Sequence, residues 1–116
     1  MLRMNMAITI TSLELKSPLK FIAFTLQVMR IVKQLKGSDC ISFKLSGFWT
    51  MHYTMTLWES AEASKRFARG GVHVEAMKQS ANLSKEIRNL TIESNTLPNW
   101  KEAKEKLLRD GKILKF

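Results

Sequence analysis

Residues 40–60 read Cys-Ile-Ser-Phe-Lys-Leu-Ser-Gly-Phe-Trp-Thr-Met-His-Tyr-Thr-Met-Thr-Leu-Trp-Glu-Ser, and this stretch decides the fold. Ile41, Phe43 and Leu45 alternate with Cys40, Ser42 and Lys44, which is the two-residue period of a strand. Gly47 marks a turn or bulge, and residues 51–58 form a second strand, so the pair reads as a hairpin. In that second strand Met51, Tyr53, Met55 and Leu57 face one way, and His52, Thr54, Thr56 and Trp58 face the other. A helix follows at once. Ser60 is its cap, Ala63 and Phe67 lie on its inner face, and Glu59 and Glu62 suit the positive end of its dipole.

Working upstream, residues 7–15 are β-branched and nearly alternating, which predicts a strand. Ser17-Pro18 then opens a helix, because serine caps and proline is tolerated at the first helical position. Phe21, Phe24, Val28, Ile31, Val32 and Leu35 recur at three and four residues along it, and Gly37-Ser38-Asp39 ends it. Downstream, Gly70-Gly71 interrupts the second helix, a further helical piece spans about 72–85, and Leu90-Thr91-Ile92-Glu93 is a short strand. Asn99 with Glu102 resembles a capping box for a last helix whose apolar side is Trp100, Ala103, Leu107 and Leu108, and Gly111 is its stop. The order is that of a ferredoxin-like βαββαβ unit with an appended C-terminal helix, an α+β class. Its core spans about 5–96 and its last helix about 99–110.

A four-stranded antiparallel sheet with helices on one side leaves its other side open. Ile41, Phe43, Leu45, Tyr53, Met55 and Leu57 cannot all share the helix-covered face with Trp58 and Ile10, so both faces read as apolar. A bare apolar face of that extent exceeds the few hundred Å² that monomers tolerate, which predicts a homodimer packed sheet to sheet.

With 116 residues the chain fits a single domain, residues 1–116, and its 45% hydrophobic content is that of a globular protein. The longest apolar stretch, residues 21–29, is broken by Thr25 and Gln27, far short of the roughly 20 residues of a transmembrane helix. Residues 1–11 do not read as a signal peptide, and the one cysteine, Cys40, gives neither a disulfide nor a metal pair, which points to a reducing cytoplasm. The net charge of +9 raises nucleic acid or an anionic membrane as partners. No RNP-type strand, helix-turn-helix or Cys/His finger accompanies the charge, so nucleic acid is set aside. Peripheral attachment through the basic C-terminal helix (Lys101, Lys104, Lys106, Arg109) stays open as a partner reading.

Residues 48–60, together with Phe67-Ala68-Arg69-Gly70-Gly71-Val72-His73 and Ala76-Met77, resemble the dimeric α/β-barrel superfamily. Within it the chain is most similar to spheroidene-monooxygenase-like proteins and their uncharacterised relatives. Antibiotic-biosynthesis and haem-degrading monooxygenases are more distant. The resemblance implies a ligand cavity between helices and sheet, often an oxygenase activity, and sometimes haem. It also implies that Trp58 lines the substrate pocket and that His73 matches a histidine after the Gly-containing helix break. In haem-degrading relatives the axial histidine falls later on that helix, where this chain has Met77, and the first strand supplies an asparagine that residues 7–15 lack.

These residues define a candidate site. His73 is the candidate catalytic group, an acid/base or an axial ligand should haem bind, or else a histidine that packs at the helix break. Trp58, His52, Thr54, Thr56, Phe67 and Met77 are the candidate pocket, with the strand face His-Thr-Thr-Trp mixing polar groups into apolar surroundings. The same hydroxyls also suit cross-strand bonding, and Trp58 suits a plain core. Cys40 has no base nearby and reads as inert. The sequence therefore supports two functions: a small monooxygenase acting on an apolar molecule, or a non-catalytic ligand-binding or structural module of the same fold.

Overall fold

The structure, a computed structural model, describes residues 6–36, 40–69, 78 and 82–115. Its elements in chain order are β1 (Ala7–Leu15), a 3-10 turn (Pro18–Lys20) running into α1 (Phe21–Lys36), β2 (Cys40–Phe48), β3 (Met51–Trp58), α2 (Ala61–Ala68), β4 (Ser84–Glu93), α3 (Trp100–Asp110) and β5 (Lys112–Lys115). The strands form one antiparallel sheet in the order β2-β3-β1-β4-β5. The first four are the ferredoxin-like arrangement expected from the sequence, with a fifth strand added beside β4.

The caps fall where the residue chemistry places them. Ser17 Oγ accepts from Leu19 N at 3.1 Å, Ser60 Oγ from Ala63 N at 3.2 Å, and Asn99 Oδ1 from Glu102 N at 2.8 Å. The Gly37-Ser38-Asp39 stop lies outside the described residues. The hairpin turn is Trp49-Thr50 rather than Gly47, and Trp49 carries its reversal at φ 61°. Gly47 sits inside β2 opposite His52, where a Cβ would come within 2.5 Å of the His52 Nδ1. The glycine is therefore a close-approach residue for that ring.

Two further expectations are corrected. The helical piece expected over about 72–85 falls mostly outside the described residues, but its end is strand: β4 begins at Ser84, not at Leu90. Lys85, Glu86, Arg88 and Asn89 look like a solvated helix in isolation. They are extended because β4 lies between β1 and β5 and hydrogen-bonds to both. β5 itself has no periodicity long enough to read, and it exists as a strand through its pairing with residues 86–89.

The sheet faces also differ from expectation. A register shift between Cys40 and Ser42 moves Phe43 and Leu45 opposite Thr56 and Thr54, leaving Ser42 and Lys44 opposite Leu57 and Met55. One face therefore carries Ile8, Ile10, Met55 and Leu57, all buried, with Ser42, Lys44 and Ser46 at its rim. That face is not bare. Ala103 and Leu107 of α3 pack on it, Trp100 lies 6.4 Å from the Tyr53 ring, and the Lys104 ammonium sits 4.5 Å over Tyr53. The chain's own last helix meets much of the demand that led to a second copy. The other face lies under α1 and α2.

Candidate functional site

The face under α1 and α2 is built from cross-strand rows fixed by the register. One row runs Phe43, Thr56, Thr9, Thr91; the next runs Leu45, Thr54, Thr11, Asn89; a third runs Gly47, His52, Leu13, Ile87. α1 stands over them with Phe24, Gln27, Val28, Ile31, Val32 and Leu35, and α2 adds Ser64 and Phe67. Helix and sheet do not close on one another. Between them is a cavity of about 560 Å³, large enough for a small organic ligand.

The cavity has an apolar roof and a hydroxyl floor. The Thr9 hydroxyl bonds both Ser64 Oγ and Thr91 Oγ1 at 2.9 Å, and Asn89 Nδ2 donates to Thr11 Oγ1 at 2.9 Å. Trp58, 2% exposed, donates its indole N–H to Thr56 Oγ1 at 2.8 Å and lies 5.2 Å from the Phe67 ring. The indole is thus held in the cavity wall with its polar atom satisfied. Thr54 has no such side-chain partner among the described residues and also lines the cavity.

His52 is fixed on three sides. Its ring lies 4.6 Å from Phe24 and 5.7 Å from Phe21, and Nε2 is 2.9 Å from the Trp49 carbonyl oxygen. A carbonyl only accepts, so Nε2 carries the proton and Nδ1 is the free acceptor of the neutral ring. Gly47, with no side chain, leaves room for that nitrogen. Cys40 is elsewhere: burial pushes its thiol up from the ordinary value, against smaller opposing backbone hydrogen bonds with Ser42 and Leu57. It is an inert thiol.

Of the residues singled out in the sequence, the structure brings Trp58, His52, Thr54, Thr56 and Phe67 to this one cavity. His73 and Met77 lie outside the described residues. Thr9, Thr11, Asn89, Thr91, Ser64 and Gln27 also line the cavity, and sequence reading missed them. The alternation in residues 7–15 was a usable signal for Thr9 and Thr11; nothing local announces Asn89, which reaches the site only because β4 pairs with β1.

His73, the candidate haem ligand, lies outside the described residues. No group of three or more His, Cys, Asp or Glu among them is placed to hold a metal. Nor is any described helix long and apolar enough to cross a membrane.

No family model matches the chain, and no curated protein matches it in sequence. Solved structures do match it. A protein of unknown function from Nitrosomonas europaea superposes with a TM-score of 0.68 at 14% identity, over 83% of this chain and 97% of that one. SnoaB, a cofactor-independent oxygenase from Streptomyces nogalater, gives 0.64 at 12% identity, over 82% and 99%. A candidate antibiotic-biosynthesis monooxygenase from Caulobacter crescentus gives 0.67 at 13% identity, over 82% and 92%. At such identities the likeness is one of fold. The chain shares the ferredoxin-like fold of these structures, the fold expected from its sequence.

Proposed function

We propose, from this fold and the cavity it encloses, that the protein binds a small, largely apolar molecule between α1 and the sheet and oxidises it with molecular oxygen. The observation that carries the reading is the cavity itself: about 560 Å³, roofed mostly by apolar side chains, with Trp58 in its wall and a row of threonines beneath. An apolar ring system fits the roof, and its oxygen substituents find donors and acceptors on the floor.

The chemistry follows from what is present. His52 offers Nδ1 as a proton acceptor at one end of the cavity. A substrate with an acidified CH2 group loses a proton to that nitrogen, and its carbanion electron pair reduces oxygen as the C–O bond forms. Loss of water from the resulting hydroperoxide leaves a carbonyl, so the CH2 group and one O2 become C=O and one H2O. The electrons come from the substrate, and no resident cofactor enters the balance.

Anthrone, a flat ketone with one activated CH2 group, tests the reading. The wild-type chain is expected to consume one O2 per anthrone faster than buffer, and His52→Gln to lower turnover by about 10²-fold or more with little change in binding. Trp58→Ala is expected to weaken binding. Turnover unchanged in His52→Gln removes the proton-transfer role. Binding without turnover in the wild type leaves the non-catalytic module, a reading favoured by the sparse titratable groups on the cavity floor.

For assembly the reading keeps a homodimer, now supported by different residues. β5 is an edge strand with Ile113 and Leu114 about half exposed, and such an edge invites pairing. Sedimentation velocity at micromolar concentration tests it, and a single-copy species overturns it.

A further inference from the structure

We infer that the outer side of residues 18–36 is a docking surface for an anionic lipid bilayer. α1 is apolar on two opposite sides. Phe24, Val28, Ile31 and Leu35 roof the cavity, while Ile22, Leu26 and Met29, spaced at four and three residues, point away from the sheet and are 74%, 57% and 63% exposed. A helix apolar all round is ordinarily covered on every side. Leu19, 91% exposed, extends the outer stripe by one turn.

The aromatic end of the surface comes from another element. The hairpin tip carries Trp49, 67% exposed, and is tied to the start of this segment by the Leu15 N–H to Thr50 carbonyl bond of 2.8 Å and by the His52 contacts with Phe21 and Phe24. Tryptophan at the edge of an apolar stripe suits the interfacial zone of a membrane.

Charge selects the occupant. Residues 15–38 contain no Asp or Glu, and Lys20, Arg30, Lys33 and Lys36 are exposed around the stripe, none of them in an ion pair with a described carboxylate. On the helical wheel Lys33 continues the line of Ile22 and Leu26, and Arg30 and Lys36 flank it. An apolar stripe that ends in a basic turn matches a bilayer with acidic headgroups: the side chains enter the acyl boundary and the cations meet the phosphates. A second copy docked on the same face would set two acid-free basic surfaces against each other, which the charges oppose. α3 is the weaker membrane candidate, because Ala103 and Leu107 already pack on the sheet and its lysines alternate with Glu102 and Glu105.

Co-sedimentation of the full chain with vesicles tests the inference. Phosphatidylglycerol–phosphatidylcholine vesicles are expected to retain the protein at low salt, pure phosphatidylcholine to retain about tenfold less, and raised salt to release it. Leu26→Asp is expected to weaken retention by about tenfold or more, and the pair Arg30→Gln, Lys33→Gln to weaken it comparably while leaving the apolar stripe intact. None of these residues lines the cavity, so binding of an apolar fluorescent probe there is expected to persist, which also shows that the variants are folded. Equal retention on both vesicle types, or retention indifferent to both variants, overturns the inference. So does a change of sedimentation coefficient in Leu26→Asp without loss of vesicle binding, which assigns the face to a second copy.

Discussion

The two faces of this sheet are made by the same strands and differ in every alternate residue. On one, Ile8, Ile10, Met55 and Leu57 are buried and α3 is pressed against them through Ala103 and Leu107. On the other, Thr9, Thr11, Thr54 and Thr56 lie under a helix that does not reach them, and about 560 Å³ is left between. Both faces have helical cover; the second is close-packed only where Leu35, Trp58 and Ala63 meet, and the cavity lies beside that cluster. Apolar complementarity closes a face, whereas hydroxyls such as those of Thr9, Thr11 and Thr56, bonded to neighbouring side chains, ask little of a roof and tolerate a gap. The α3 side thus holds the larger buried cluster, and the α1 and α2 side holds the proposed ligand site.

The sharpest way to break this comparison is to cut into each face. Ile10→Ala leaves a hole among fully buried neighbours and is expected to destabilise the fold by about 2–5 kcal/mol in urea titration. Thr56→Val leaves the buried Trp58 indole N–H without its partner and is expected to cost about 1–3 kcal/mol, with weakened probe binding because the indole loses its orientation. An equal loss from both substitutions would mean that the cavity face is as tightly packed as the other.

Smaller effects sharpen it. Asn99→Ala removes the cap of the helix that covers the apolar face and is expected to cost about 1 kcal/mol without altering probe binding. Thr54→Val changes a hydroxyl that has no side-chain partner; stability is expected to stay within about 0.5 kcal/mol, while an apolar probe binds a few-fold more tightly. The smallest effect is alkaline. The Cys40 thiol is raised in the folded chain, so its contribution to stability is intact at neutral pH and is lost as pH climbs through that raised value. Cys40→Ala is expected to flatten the alkaline side of the thermal-unfolding profile and leave its neutral side unchanged.

How much of this was legible beforehand differs by element. β1 and β3 could be read to the residue because alternation and flanking caps agree there, and α3 because Asn99, Glu102 and Gly111 bracket an apolar face. The candidate site was half legible. His52, Thr54, Thr56 and Trp58 lie on one strand and share a face by period alone. Asn89 and Thr91 are brought beside them by a strand 78 to 82 residues away in sequence from Thr11 and Thr9, through contacts that no local pattern encodes. The alternation of β2 does not say which side of β3 it joins, and the irregularity between Cys40 and Ser42 is what sets Phe43 and Leu45 opposite Thr56 and Thr54.

What the amino-acid order determined alone was therefore the elements from β1 through α2, the last helix, the caps at Ser17, Ser60 and Asn99, and the alternation in β1 and β3, since those depend on neighbours a few residues apart. Only the tertiary structure decided that β4 is ten residues long, that β5 exists, that the C-terminal helix covers the apolar face, and that α1 stands off from the threonines. Each of these depends on hydrogen bonds or packing between segments far apart in the chain. Such contacts are set by which surfaces meet, and local propensity is silent about that.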